Sequence, residues 1–503
     1  MGTVVMGNCG VGFAPVAAGG QQDLIDLMEG VEDIPGTALH EGMPWGSWET
    51  YPEYLDFLAT RKYAINISSM IAHGAVRNFV MGARGRRNEA ATADDIEQMS
   101  KIVEAALVAG AVGFSTSRIL GHRSTQGEPV PGTFANDAEV MAIAGALKRA
   151  AKGLFQIIPS STLGPGREEF IEHAPLEQEL DLISRVSRES GRPATFTLFQ
   201  IDDWANKWQE AISIVKAANS QGAQVYPQVG SRPTGLVFSL ATYHPWMLKP
   251  TYLKLRERPL PERIEQLRKP EIKRMILAEE NQIEGAALGS MEFGIAHIES
   301  EFEFAFPLTH DSDYEPRQSD SFATQAGKEN CSPESALYDY LVQVPGRMAI
   351  LYFTNYSDYN LDAVREMQLD DATVTGLSDA GAHVSLIFDA VNPTYQLTHW
   401  TRDRSRGPTL PLSQVIHRAT RKNAELFGFT DRGLIKPGMK ADLNVIDYDK
   451  LRLTDLELAH DLPAGGARFL QGASGYIATL VNGVVTRRYD EDTQTRPGRL
   501  LRS

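Results

Sequence analysis

Cysteine is nearly absent from this 503-residue chain: Cys9 and Cys331 are the only two. Two thiols so far apart give no disulfide framework, and a reducing compartment, the cytoplasm, is the default expectation. No uninterrupted apolar run approaches the roughly 20 residues a membrane-spanning helix needs. Positive charge is in deficit, with 49 Lys and Arg against 64 Asp and Glu and a formal charge of −15. That balance speaks against a nucleic-acid footprint and a polybasic membrane surface. The opening residues MGTVVMGNCGVGFAP have neither a charged n-region nor a long apolar h-region, so no signal peptide is expected there.

What is present is ordinary for a soluble enzyme: 42% hydrophobic and 22% charged residues, in a chain long enough for one large catalytic domain and a smaller unit. Up to about residue 230, strand-like runs alternate with helix-like ones. The runs at 3–6, 63–70, 111–117, 154–159, 194–200 and 224–228 are short, apolar and uninterrupted, the pattern of strands covered on both faces. Thr92 with Asp95, and Asn136 with Glu139, mark the starts of two amphipathic helices between them. A third helix carries Trp204, Trp208, Ile212 and Val215 and stops near Gly222. Repeated β-α units of this size favour a parallel sheet or barrel.

The rhythm breaks between about 231 and 345, a stretch that reads as an insertion or lid over the strand ends. It resumes at 348–354, with a helix near 361–367 and then a strand ending on Asp379. Residues 411–428 read as an amphipathic helix closed by Gly428. Beyond it, the runs 441–446 and 476–481, with the Asn482-Gly483 turn signal, predict a small β unit. The expected division is therefore a barrel domain over 1–428, with the insertion inside it, and a small β unit over 429–503. Seven barrel-type strands end at residue 379, the chain starting on the first. A TIM-type barrel has eight, so the expectation is a barrel lacking its first strand.

The segment TVTGLSDAGAH at 373–383 places Asp379 and His383 beyond the C-terminal end of a strand, with only small residues between them. In a parallel α/β barrel that rim is where chemistry sits. A carboxylate there can bind a metal or take a proton from an activated water. It can equally cap the next helix, with His383 a bystander. Both readings stand on the residues alone.

Several segments converge on one family: GTVVMGNCGVGFAP at the start, AINISSMIAHGAVR at 64–77, AGAVGFSTS at 109–117, QVYPQ at 224–228, GLSDAGAH at 376–383, and the tail signature at 418–447. Together they resemble the N-acyl-D-amino-acid deacylases (D-aminoacylases) of the amidohydrolase superfamily. The resemblance implies a (β/α)-barrel joined to a small β-sandwich, and hydrolysis of an N-acylated D-amino acid to a carboxylate and a free D-amino acid. It implies zinc, one ion or two, with Asp379 as metal ligand and proton shuttle and Cys9, in the GNCG turn, as a zinc-binding thiolate. A buried unreactive cysteine is the alternative at position 9.

The departures are as informative. Family members carry an HxH pair on the first barrel strand, and no HxH occurs in this sequence. The family also has histidine ligands on strands 5 and 6, where this chain has Ile158 and Leu198. Two accounts follow: a start placed inside a longer coding sequence, or a catalytically dead relative. A cyclic-amide hydrolase of the hydantoinase type is a further reading, opposed by Ser115-Thr116-Ser117 where such enzymes carry a carboxylated lysine.

Other candidates lie near the same rim. His73, in IAHG, either touches substrate or metal or is a hydrogen-bonded structural histidine. Tyr226, in VYP, either donates to a substrate carbonyl oxygen or is a core aromatic. Arg232 could grip a substrate carboxylate, though a solvated loop arginine is the commoner fate. The remaining histidines, His122 among them, are scattered and read as structural, with His297 and His310 in the insertion as potential exceptions.

Overall fold

The computed structural model describes residues 2–162, 174–201, 205–283, 291–296, 302–309 and 313–503. The expected positions of Trp204, His297 and His310 lie outside them. Thr3–Met6 pairs in parallel with Asn66–Ser69, and the continuation of that strand, Ile71–Ala72, pairs with Gly113–Ser117. The series runs on through Leu154–Ile158, Ala194–Leu198, Val225–Val229 and Val374–Thr375, every step parallel. These correspond to the six runs expected up to residue 230 and the one expected before Asp379, in sequence order and within a few residues of the anticipated bounds.

Laid flat, seven strands would set the outer two about 29 Å apart, at about 4.8 Å per step. Instead the segments that follow the first and last strands touch: the Ser385 N–H donates to Asp33 Oδ2 at 2.8 Å. These two segments thus join the outer edges of the sheet across its C-terminal end. Phe114, Phe155 and Phe196 on its outer face belong to the main core with helix residues such as Val103, Leu147 and Ile183. Ser115, Gln156, Thr195 and Tyr226 are register partners on successive strands and share the inner face. The lower end of that face is closed by Met70, Val112 and Leu154, packed against Val5, Phe427 and Phe429.

Local chemistry explains the helices. Thr92 forms a capping box with Asp95 ahead of Ala93–Ala109, which ends on left-handed Gly110. Asn136 caps Asp137–Ala150 through the Glu139 N–H. The helix expected over 411–428 is a continuous run with a π turn at Arg418–Lys422. Among the described residues no helix is long and apolar enough to cross a membrane.

The apolar run at 348–354 does form a strand, but not one that resumes the parallel series. Met348–Tyr352 lies antiparallel between Gly235–Phe238 and Ala305–Leu308, within a sheet that packs on a second core built around Trp246, Phe322 and Leu337. A fully apolar strand carries no mark of its direction, so the sequence could not separate the two sheets.

In the C-terminal unit, Leu443–Ile446, Tyr476–Val481, Val484–Arg488 and Glu491–Asp492 form an antiparallel sheet. Asn482 and Gly483, both at positive φ, make the tight hairpin turn expected there. A second pair, Arg452–Ala459 with Arg468–Ser474, was not anticipated. The chain then returns to the parallel sheet, where the Ile67 N–H donates to Arg499 O at 3.0 Å and the Leu501 N–H to Ile67 O at 2.7 Å.

Candidate active site

Two segments meet beyond the C-terminal ends of the parallel strands. One begins after the first strand, with the turn that carries Cys9 and the helix Gln21–Glu32. The turn is pressed onto a neighbouring strand: Gly10 has φ +73°, and a Cβ there would lie 2.9 Å from backbone atoms of Thr116 and Ser117. Only glycine fits. The helix ends on Asp33 in the left-handed region at φ 52°.

The other segment follows the last strand. Leu377, Asp379 and His383 all have positive φ, at 64°, 38° and 51°, a costly path for non-glycine residues. The helix end grips this loop. Glu32 O accepts the His383 N–H, and Glu32 Oε2 lies 3.6 Å from His383 Nε2. Asp33 Oδ2 accepts the Ser385 N–H at 2.8 Å and the Ser385 hydroxyl at 2.9 Å, while Asp33 Oδ1 accepts the Tyr243 hydroxyl at 2.9 Å.

The electrostatics tie Cys9 and Asp379 to this meeting point. Burial pushes the Cys9 thiol well above its usual range, and the nearby charges of Glu32 and Asp379 push it further. Burial also raises the Asp379 carboxyl; His383 pulls it back and Glu32 adds to the rise. Both side chains keep partial surface access, the combination expected at the floor of a recess. His122, from the loop after Gly113–Ser117, faces the same region: burial and the charge of His383 push it down to about 3. Its Nδ1 lies 3.3 Å from Ser117 Oγ.

Arg232 is not the solvated loop arginine that the sequence favoured, being only 3% exposed. Its Nη2 donates to Asp389 Oδ1 at 2.8 Å and its Nε to Asn392 Oδ1 at 3.0 Å, and its guanidinium lies 4.1 Å over the Tyr314 ring. Burial alone would lower its pKa, but the Asp389 carboxylate and the surrounding tyrosines reverse the effect, so the charge is kept. Nη1 has no hydrogen-bond partner among the described residues. Asn392 in turn donates to Leu377 O at 2.8 Å, two residues before Asp379. Tyr226 is half-buried on the inner face.

His73 departs from a site role. It is 1% exposed, with Nδ1 2.9 Å from Thr116 Oγ1 and Nε2 3.2 Å from Glu139 Oε1, the carboxylate that also takes Arg77 Nε at 2.8 Å. Both ring nitrogens are occupied inside the wall, so none is left for a substrate or metal. Glu32, Asp33 and His122 were not singled out from the sequence. One signal was present: acidic residues sit at the C-terminal end of Gln21–Glu32 with no basic residue in the last turn, against the helix dipole. Such residues need a reason outside the helix.

Cys9 and Asp379 fit zinc in kind, offering one soft and one hard donor. Both hold their protons more tightly than usual, chiefly through burial; Glu32 adds to the rise at each, and His383 opposes it at Asp379. In number the set is small. Among the described residues no three His, Cys, Asp or Glu side chains converge as a ready cation site. Ile158 and Leu198 are buried, and neither can ligate.

Comparison with known proteins agrees with the architecture. A family model described as "Amidohydrolase family" matches residues 1–487. A D-aminoacylase of Alcaligenes xylosoxydans xylosoxydans is 34% identical over 114 residues, which is 23% of this chain and only 20% of that protein. An uncharacterized protein of Mycobacterium tuberculosis is 23% identical over 468 residues, 88% of this chain and 71% of the relative. Among solved structures, a D-aminoacylase superposes with a TM-score of 0.58 at 20% identity, over 100% of this chain and 83% of that one. An N-acyl-D-glutamate deacylase from Bordetella bronchiseptica, complexed with zinc and a phosphonate inhibitor, gives 0.56 at 20% identity, over 100% and 82%. With the family model spanning nearly the whole sequence and the parallel sheet bearing its acids at one rim, the chain belongs to the amidohydrolase family.

Proposed function

We propose that the site carrying Cys9 and Asp379 hydrolyses a linear amide, the substrate being an N-acylated amino acid of D configuration, a reading supported by the likeness to the D-aminoacylases. The observation that carries this reading is that a thiol and a carboxyl, carried past the first and last strands of the parallel series, lie near enough for the Asp379 charge to act on Cys9, beside Glu32 and His383. The parallel sheet is read as a (β/α)-barrel over residues 1–428 with the small β unit at 429–503.

Cys9 and Asp379 would hold zinc, which when bound supplies a Lewis acid and an acidified water. Asp379 takes the proton of the attacking water and returns it to the leaving amine nitrogen; a carboxyl with raised proton affinity suits both halves of that exchange. His383, beside Glu32, steadies the charge of Asp379. Tyr226 donates its hydroxyl to the substrate carbonyl oxygen. Arg232, charged and with Nη1 free of any described partner, receives the substrate carboxylate.

One observation favours a second reading, a metal-free and catalytically silent member of the family: the absence of three convergent donors among the described residues. Zinc titration with assay of amine release from N-acetyl D- and L-amino acids decides between them. Stoichiometric zinc and turnover of a D substrate are expected. Less than about a tenth of an equivalent of bound metal, with no turnover after zinc is added, would establish the silent reading.

A further inference from the structure

Within six residues, the loop after the last parallel strand makes four ties, to three parts of the molecule. Val384 O accepts the Phe469 N–H of the C-terminal unit at 2.7 Å, and Leu386 O accepts the Val237 N–H of the insertion at 2.7 Å. Asp389 takes Arg232, and Ser385 is held by Asp33 through both its N–H and its hydroxyl. Asp33 differs from the other ties. It is a buried carboxylate at a helix end, and its two oxygens accept three hydrogen bonds from two segments. With the Glu32 carbonyl, which takes the His383 N–H, it grips the loop on the side nearest Asp379.

The gripped loop needs a restraint. Leu377, Asp379 and His383 lie in the left-handed region, and such residues persist only where their surroundings over-determine them. We propose that Asp33 is a positioning residue: it holds the loop in this path and thereby fixes Asp379 opposite Cys9. Removing its charge leaves the Ser385 N–H and hydroxyl and the Tyr243 hydroxyl with a weaker acceptor, and frees the loop to relax toward ordinary backbone angles. The role in turnover rests on the functional reading above; the restraint itself does not.

The test uses the full chain. Hydrogen exchange over residues 380–388, thermal stability, kcat and KM are measured for wild type, Asp33→Asn, Ser385→Ala, Asp379→Asn and the Asp33→Asn/Asp379→Asn double variant. Exchange in Asp33→Asn is expected to quicken by about tenfold, because the amide protecting contact is weakened. Its kcat is expected to fall by about 10- to 100-fold through lost orientation, with KM held within about twofold. Ser385→Ala should shift both in the same direction by less, and it carries the test if Asp33→Asn does not fold. The double variant should be no slower than Asp379→Asn alone.

Unchanged exchange in a folded variant overturns the restraint, whatever the activity. Quickened exchange with unaltered kcat in an active enzyme, or a multiplied loss in the double variant, overturns the positioning role. If wild type hydrolyses no N-acyl amino acid, the functional reading fails, and exchange alone decides whether Asp33 holds the loop.

Discussion

The rim of the parallel sheet has two unlike arcs. At the closing arc, Cys9, Glu32, Asp33, Asp379, His383 and Asp389 gather from loops and a helix end, and charged groups answer one another. The middle arc, on Gly113–Ser117, Leu154–Ile158 and Ala194–Leu198, has no ionisable side chain within those strands. Its inner-face polar atoms are left wanting: Ser115 Oγ, both amide atoms of Gln156 and Thr197 Oγ1 have no described partner. Among the described residues the contrast is between loops that carry ionisable groups and strands that carry none. Ionisable groups sit where loops can aim them, while the strands opposite carry neutral polar side chains at a cost to stability.

The largest test of that contrast is Asp379→Asn. Asparagine tolerates a positive φ, so the change removes the charge while sparing the backbone. Hydrolysis is expected to fall by about 10³-fold or more with the melting temperature little changed. Near-normal turnover would move the chemistry away from the closing arc.

Next in size is the acid clamp that carries Tyr314 over Arg232. Burial would raise Glu315, but the His399 ring 3.2 Å away, hydrogen bonds from Arg404 and the Leu361 N–H, and the Arg404 charge bring it down to about 2. A depressed carboxyl contributes stability that is whole above its unfolded value, about 4.3, and is lost as pH falls toward 2. Wild type should therefore lose about 2 kcal/mol between pH 5 and 2.5 that Glu315→Gln, already lacking it, does not lose. Urea unfolding across that range checks it; parallel slopes would remove Glu315 from the account.

Cys9→Ser is expected to weaken zinc retention at least about tenfold, since a hydroxyl is a far poorer ligand than a thiolate. Equilibrium dialysis reads this directly, and equal zinc content would demote Cys9 to packing. The smallest effect belongs to the middle arc. Gln156→Met removes two unpaired polar atoms while keeping volume, so stability should rise by about 1–2 kcal/mol. A lower urea midpoint would mean that Gln156 is satisfied after all.

Much of the fold was legible because its strands are covered on both faces and so appear as short apolar runs between capped helices. The strand at 348–352 was read into the wrong sheet for the same reason. Arg452–Ala459 was missed because its half-exposed pattern mixes charge into every turn of the alternation. At the candidate site, Asp379 was marked by the small residues beyond a strand end and Cys9 by the family resemblance. Arg232 looked solvated because nothing local revealed Asp389, more than 150 residues away. Glu32, Asp33 and His122 act through partners equally distant in sequence, and distance of that kind is what a single sequence hides.

The return of the final residues to the parallel sheet bears on how the protein can be handled. Arg499 and Leu501 bond to Ile67, the Ser68 hydroxyl donates to Leu501 O at 2.8 Å, and the Ser503 N–H donates to Gly110 O at 3.1 Å. Six residues that look like a dispensable fringe are thus a splint on the strand next to the one leading into Cys9. Clipping them during purification would bare backbone groups at a sheet edge and invite self-association. An affinity handle fused there needs a spacer.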